Sequence, residues 1–126
     1  MSNRLIFVLG AVVLGLAVAL GAFGAHGLQK MTDARGLANW ETGVRYQVIH
    51  GLGLLILALA TTRYSAGAST AIAACFLTGI VIFSGSLYAI VLTGINKLGM
   101  ITPIGGVLYI VGWAIAAVAH VKDVND

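Results

Sequence analysis

The chain has 126 residues, of which 60% are hydrophobic and 9% charged, with a net charge of +3. Its apolar residues run in long blocks without strand or helix alternation, which excludes a water-soluble globular fold and points to one domain in a lipid bilayer. The seven Lys and Arg residues are scattered at block edges, where they meet lipid headgroups, and form no run that would bind nucleic acid.

The first block runs from Leu5 to about Ala25. Arg4 followed by an apolar run imitates a secretory signal peptide, but a run of about 21 residues exceeds a signal core and matches a full span. It is read as a retained first helix ending at Gly24-Ala25-His26-Gly27. The connection that follows mixes Lys30, Asp33, Arg35 and Glu41 with Leu28, Met31, Leu37 and Trp40. Leu37, Trp40 and Val44 fall at i, i+3 and i+7, which predicts a short amphipathic helix at the interface, running into the second span. Trp40 and Tyr46 are read as interface anchors.

The second block covers 44–61, the third 68–93 and the fourth 103–121. Gly27 and Gly94 stand where helix-terminating glycines are expected. Thr102 is placed to cap the fourth helix and Pro103 to occupy its first turn without losing a hydrogen bond. Pro103 is the only proline, so no span is proline-kinked. The lone Cys75 has no disulfide partner in the chain and is expected to be an inert thiol. The expected fold class is an all-α integral membrane protein: a four-transmembrane-helix bundle, one domain over 1–126, with a short amphipathic segment between helices 1 and 2. Arg4, Arg63 and Lys122 on one side face Lys30, Arg35, Lys97 and Arg45 on the other, a balance that sets no orientation.

The 17 glycines would weaken helices in water. In a bilayer, small residues let helices approach, because apolar surface alone does not drive them together. The stripes Ala17-Gly21-Ala25 and Gly112-Ala116 are expected to serve assembly of the bundle, with a homo-oligomer interface as the alternative.

Polar residues at membrane depth mark the candidate site. Glu41 and Arg45 are spaced to pair along one helix face, and Tyr46 and His50 share another. Arg45, about one turn inside the span, must pair, snorkel or face a polar cavity. His26, Arg45, Tyr46, Gln47, His50, Ser84, Tyr88, Asn96 and Thr102 are expected to converge toward one membrane face as a polar cluster, with Ser86 and Thr93 nearby. A hydrogen-bonded network fixing helix register is the leading expectation for it. A quinone or lipid-headgroup site at Arg45 and Tyr46 is a functional alternative. Haem between His26 and His50 would need both rings at one depth, which their positions disfavour. A proton or ion path would want a carboxylate deep in a span, whereas every Asp and Glu lies at an edge or in the tail. No serine–histidine–acid set, metal-ligand cluster or phosphate loop is present in the sequence, so neither cofactor nor metal is expected.

The strings GAFGAHGL (Gly21–Leu28), WETGVRYQVIH (Trp40–His50), FSGSLY (Phe83–Tyr88) and ITPIGG (Ile101–Gly106), with Gly112-Trp113, resemble the small membrane protein family called domain of unknown function 423. That family includes bacterial YgdD-like proteins and eukaryotic transmembrane protein 256. The resemblance covers nearly the whole chain. It implies a multi-pass protein, in bacteria of the plasma membrane, and supplies no activity.

These readings combine into an expectation of a non-enzymatic structural or accessory module that binds membrane lipids, a membrane-protein partner or a second copy of itself. The rivals are a small carrier or channel with a polar cavity around Arg45 and His50, and a quinone- or haem-binding redox accessory protein.

Overall fold

The computed structural model describes residues 1–60 and 62–124, with side chains described through residue 122. Four long helices make up the chain: α1 (Asn3–Ala25), α2 (Ala34–Leu59), α3 (Ala66–Thr93) and α4 (Thr102–Val124). All four are long and apolar enough to cross a membrane. Short 3-10 turns at Leu28–Lys30 and Asn96–Met100 complete the connections at one end of the bundle.

Side chains start three of the helices. Ser2 Oγ accepts from Leu5 N at 3.2 Å, Asp33 Oδ1 from Gly36 N at 2.8 Å, and Ser65 Oγ from Ala68 N at 3.2 Å. Each satisfies an N–H that has no partner within its helix. Gly94 ends α3 in the left-handed region, with φ at +73° and its N–H on Ile90 O, as expected of a C-terminal glycine. Gly27 does not act this way: its φ is −72° and the chain turns there without a left-handed residue. Thr102 also departs from expectation, because its hydroxyl bonds to Ser86 Oγ on α3.

The second helix starts about ten residues earlier than the span read from hydropathy. The amphipathic segment exists, but as the first turns of α2, since the Asp33 cap starts a helix that continues without interruption to Leu59. Leu37, Trp40 and Val44 do share one face. That face packs inward, and Trp40, expected as an interface anchor, is buried. Thr61, the last residue of the predicted second span, lies outside the described residues, as do the side chains of Asp123 and Asp126 in the predicted acidic tail.

The helices pack in sequence: α1 along α2, α2 against α3, and α3 along α4. Glycines set the spacing. A Cβ on Gly10 would lie 3.0 Å from Leu54 Cβ, one on Gly24 2.6 Å from the Trp40 ring, and one on Gly43 2.8 Å from Tyr88. Ala17 is buried and Gly21 faces Val44, but Ala25 is exposed, so Gly24 completes the α1 contact in its place. Gly112 meets Phe76 and Cys75, an internal contact within the bundle. The core, with Ile6, Leu54, Leu57, Ile72 and Phe76, joins all four helices, α4 contributing Tyr109 with Ile115 and Ala116 packed against it.

One turn of α3, Ile80–Ser84, is a π-helix. It takes up an extra residue and so resets which residues face which neighbour. Before it, Gly79 faces Tyr109; within it, the Phe83 backbone lies against Gly105, and Ser84 turns to α2.

Candidate functional site

Four hydrogen bonds tie α1, α2 and α3 together. Gln47, 4% exposed, donates from Nε2 to Val13 O on α1 at 2.9 Å and accepts at Oε1 from the Tyr88 hydroxyl on α3 at 2.8 Å. Ser84 donates to Gly43 O at 2.6 Å. Trp40 donates from Nε1 to Leu20 O at 2.8 Å and packs on Tyr88, ring centroids 4.6 Å apart. The glycine at position 43 makes this possible, because only a missing side chain leaves room for the Tyr88 ring.

Gln47→Leu removes both side-chain bonds and leaves the Tyr88 hydroxyl without its acceptor. The expected cost is about 1–2 kcal/mol, above the average interhelical bond in a bilayer because a donor is stranded. Apparent melting temperature in detergent checks it. Tyr88→Phe should then cost nothing further in the Gln47→Leu background, and a full additional loss there would show that the two side chains act separately.

The second assembly centres on His50, which is 2% exposed. Trp113 donates from its indole N–H to His50 Nε2 at 3.0 Å, and His50 Nδ1 lies 2.8 Å from Tyr46 O. An indole nitrogen can only donate, so Nε2 accepts, and Nδ1 carries the proton given to the carbonyl. The imidazole is therefore a neutral ring with both nitrogens engaged. It stacks on Tyr109 with centroids 3.4 Å apart and planes within 6°, and meets Phe76 edge-on. The Tyr109 hydroxyl is buried and has no hydrogen-bond partner. Ser84 is beside it outside bonding geometry, its proton committed to Gly43.

These aromatic residues wall a groove between α2 and α4. Its volume is about 470 Å³, and Tyr46, His50, Phe83, Tyr109, Val107 and Trp113 are among its lining residues. Exposed Ile49, Val107, Ile110 and Trp113 form its outer edges, so it opens sideways toward lipid. Beyond His50, toward the other end of the bundle, Leu54, Leu57, Ile72, Ala73 and Phe76 fill the interior. A cavity of about 70 Å³ there is lined mainly by apolar side chains.

The predicted cluster thus divides. Gln47, Tyr88 and Ser84 form the bonds between helices, His50 and Tyr46 belong to the groove, and Thr102 bonds to Ser86 near its upper end. His26 does not join them: it is exposed at the end of α1 and its ring makes no hydrogen bond. Asn96 lies exposed in the last connection. Arg45 is exposed on the outer face of α2, in line with Ile49, Leu52 and Ile56, and makes no ion pair with Glu41. Both side chains extend outward, where snorkelling to the interface satisfies each separately. His26 and His50 do not share a site, and the haem geometry between them is not formed. Among the described residues, no three His, Cys, Asp or Glu side chains gather as metal ligands.

Tyr109 and Trp113 are the participants that the sequence reading leaves out, and Trp40 is one that it reads as an interface anchor. Trp113 carries a usable signal: an indole placed on α4 among small residues, in the Gly112-Trp113 pair. Tyr109 carries none, since its partners come from α2 and α3.

Fold and interior define a four-helix membrane protein with hydrogen bonds between its own buried helix faces and a lateral groove among its open spaces. The chain belongs to the family described as Protein of unknown function (DUF423), whose model matches residues 20–106. It is 45% identical over 120 residues to the UPF0382 membrane protein YwdK of Bacillus subtilis, covering 94% of this chain and 98% of that one. It is 47% identical over 119 residues to the UPF0382 membrane protein SAB0533 of Staphylococcus aureus, covering 94% and 97%. A UPF0382 membrane protein of Haemophilus influenzae is 42% identical over 106 residues, covering 84% and 85%. No solved structure matches the chain.

Proposed function

We propose that this protein is a non-enzymatic accessory module of the bacterial plasma membrane that holds a lipid in the groove between α2 and α4. The observation that carries this reading is the groove itself, about 470 Å³ and open to the side. Its walls are fixed before any ligand arrives: His50 is held by Tyr46 O and Trp113 and clamped against Tyr109. A rigid aromatic wall binds a flexible chain without first losing its own conformational freedom. Both nitrogens of His50 are engaged, which supports an accessory role over catalysis, because the imidazole is not poised as a base. The apolar interior beyond His50 favours the same role over a carrier.

Gly106→Leu tests the reading. Gly106 lines the groove, and a Cβ there meets Phe83 only at 3.8 Å, so a larger side chain enters open space. Native mass spectrometry of gently extracted protein should find a retained lipid on the wild type and on Gly15→Leu, which projects from α1 into open surroundings. The adduct should be lost from Gly106→Leu. An unchanged adduct on Gly106→Leu would remove the groove as the binding site.

A further inference from the structure

We infer that the lipid taken by this groove is anionic, with its phosphate on Arg35; the inference rests on the groove reading and names the headgroup class of its ligand. Phe83 and Pro103 of the groove also line an adjoining chamber of about 390 Å³. That chamber has a different character. Arg35 and Asn39 of α2, Asn96 of the last connection and Thr102 are among its lining residues.

Charge and hydrogen bonding select the ligand. Among the described residues, the Arg35 guanidinium has no ion pair or hydrogen bond, and the Asn39 and Asn96 side-chain amides are likewise free. Thr102 is committed to Ser86. No carboxylate lines this chamber. Arg35, Asn39 and Asn96 also line an adjoining space of about 370 Å³ with Asp33, whose Oδ1 is held by Gly36 N as the helix cap and which makes no ion pair with Arg35. One uncompensated guanidinium with two amides beside it fits a phosphate monoanion, because the planar fork donates two parallel bonds to two phosphate oxygens.

The geometry fits a whole lipid better than a free anion. Arg35 is at the start of α2, at the membrane face, while the groove runs along α4 from Pro103 to Trp113. Ten residues of helix span about 15 Å, half of a bilayer core of roughly 30 Å. A molecule lying through both spaces has its charge at the surface and its chain pointing inward, the posture of a lipid in one leaflet.

The test is native mass spectrometry of purified full-length protein in detergent, titrated separately with phosphatidylglycerol and phosphatidylcholine of identical acyl chains, and with inorganic phosphate. The wild type should retain phosphatidylglycerol about tenfold better, the size of one charge-assisted contact. Arg35→Gln should bring the two lipids to parity, Arg35→Lys should keep part of the preference, and Arg63→Gln at the opposite end should keep all of it. Arg35 makes no internal bond, so these variants should fold, which size-exclusion elution checks. Equal retention of both lipids by the wild type, lost from Gly106→Leu, would overturn the headgroup assignment and leave the groove reading standing. A preference that survives Arg35→Gln would do the same. Displacement of phosphatidylglycerol by inorganic phosphate would make this a free-anion site and overturn the lipid assignment. Retention of neither lipid would remove both readings.

Discussion

Gly105→Val is expected to destabilise the bundle by about 3 kcal/mol or more, at or beyond the upper end of ordinary overpacking. The reason is where the new atoms would go. A Cβ on Gly105 would stand 2.5 Å from the Phe83 backbone nitrogen and 2.9 Å from its Cα. Backbone cannot swing aside as a side-chain tip does, so α3 and α4 would have to separate. They meet at the π turn, and separation there also pulls Phe83 from Tyr109 and Ser86 from Thr102. In lipid this loss is not offset by a hydrophobic drive to re-close, since the freed surfaces are as content against acyl chains as against each other. Gly105→Ala should lie between the wild type and valine. Gly106→Ala, whose Cβ would sit 3.8 Å from Phe83, should be neutral or slightly stabilising, because alanine favours the helix by about 1 kcal/mol. Apparent melting temperatures in one detergent rank the series. If Gly105→Val melted with the wild type, α3 and α4 would not approach as closely as described.

Much of this fold is written in local sequence. Block hydropathy placed four spans, and Gly94 and Pro103 marked their edges, because desolvation of the backbone and the missing N–H act on a few neighbouring residues. Where reading stopped at hydropathy it missed. Hydropathy starts the second span at Val44 because the residues before it are polar, yet Asp33 capping Gly36 N starts the helix ten residues sooner. The π turn in α3 has no proline or other local mark; it depends on α2 and α4 both packing against the same stretch. The candidate site was legible as composition and not as partnership. Gln47, Ser84 and Tyr88 were drawn together correctly, since a polar side chain in a span must find a partner. The same rule also drew in His26 and Arg45, which lie exposed outside those bonds, whereas Asn96 lines the chamber beside Thr102 and Pro103. The groove could not be read at all, because it is the space left where α2 and α4 meet through side chains.

Trp40→Ala is the second large effect, expected at about 3 kcal/mol, the lower end for a buried aromatic in water. The lower end applies because the transfer term largely vanishes in a bilayer, leaving lost contacts, a cavity and a lost hydrogen bond. Trp40 is 2% exposed and sits where three helices meet: its N–H bonds to Leu20 O, its ring lies over Gly24 and edge-on to Phe23, and its other side meets Tyr88. Trp40→Phe keeps most of the packing and loses the N–H, so it should cost only about 0.6–1 kcal/mol. The sharper check is the pair with Gly24. Gly24→Ala alone should destabilise, because its Cβ would come within 2.6 Å of a ring that has no room to move. In the Trp40→Ala background that same methyl group enters the vacated space, and the substitution should turn neutral or stabilising. Non-additivity of this kind is expected of residues in contact or sharing a cavity, and distant sites simply add. Simple addition of the two losses would mean that Trp40 does not lie on Gly24, and that α1 is held to α2 by Gln47 and the Gly10 contact instead.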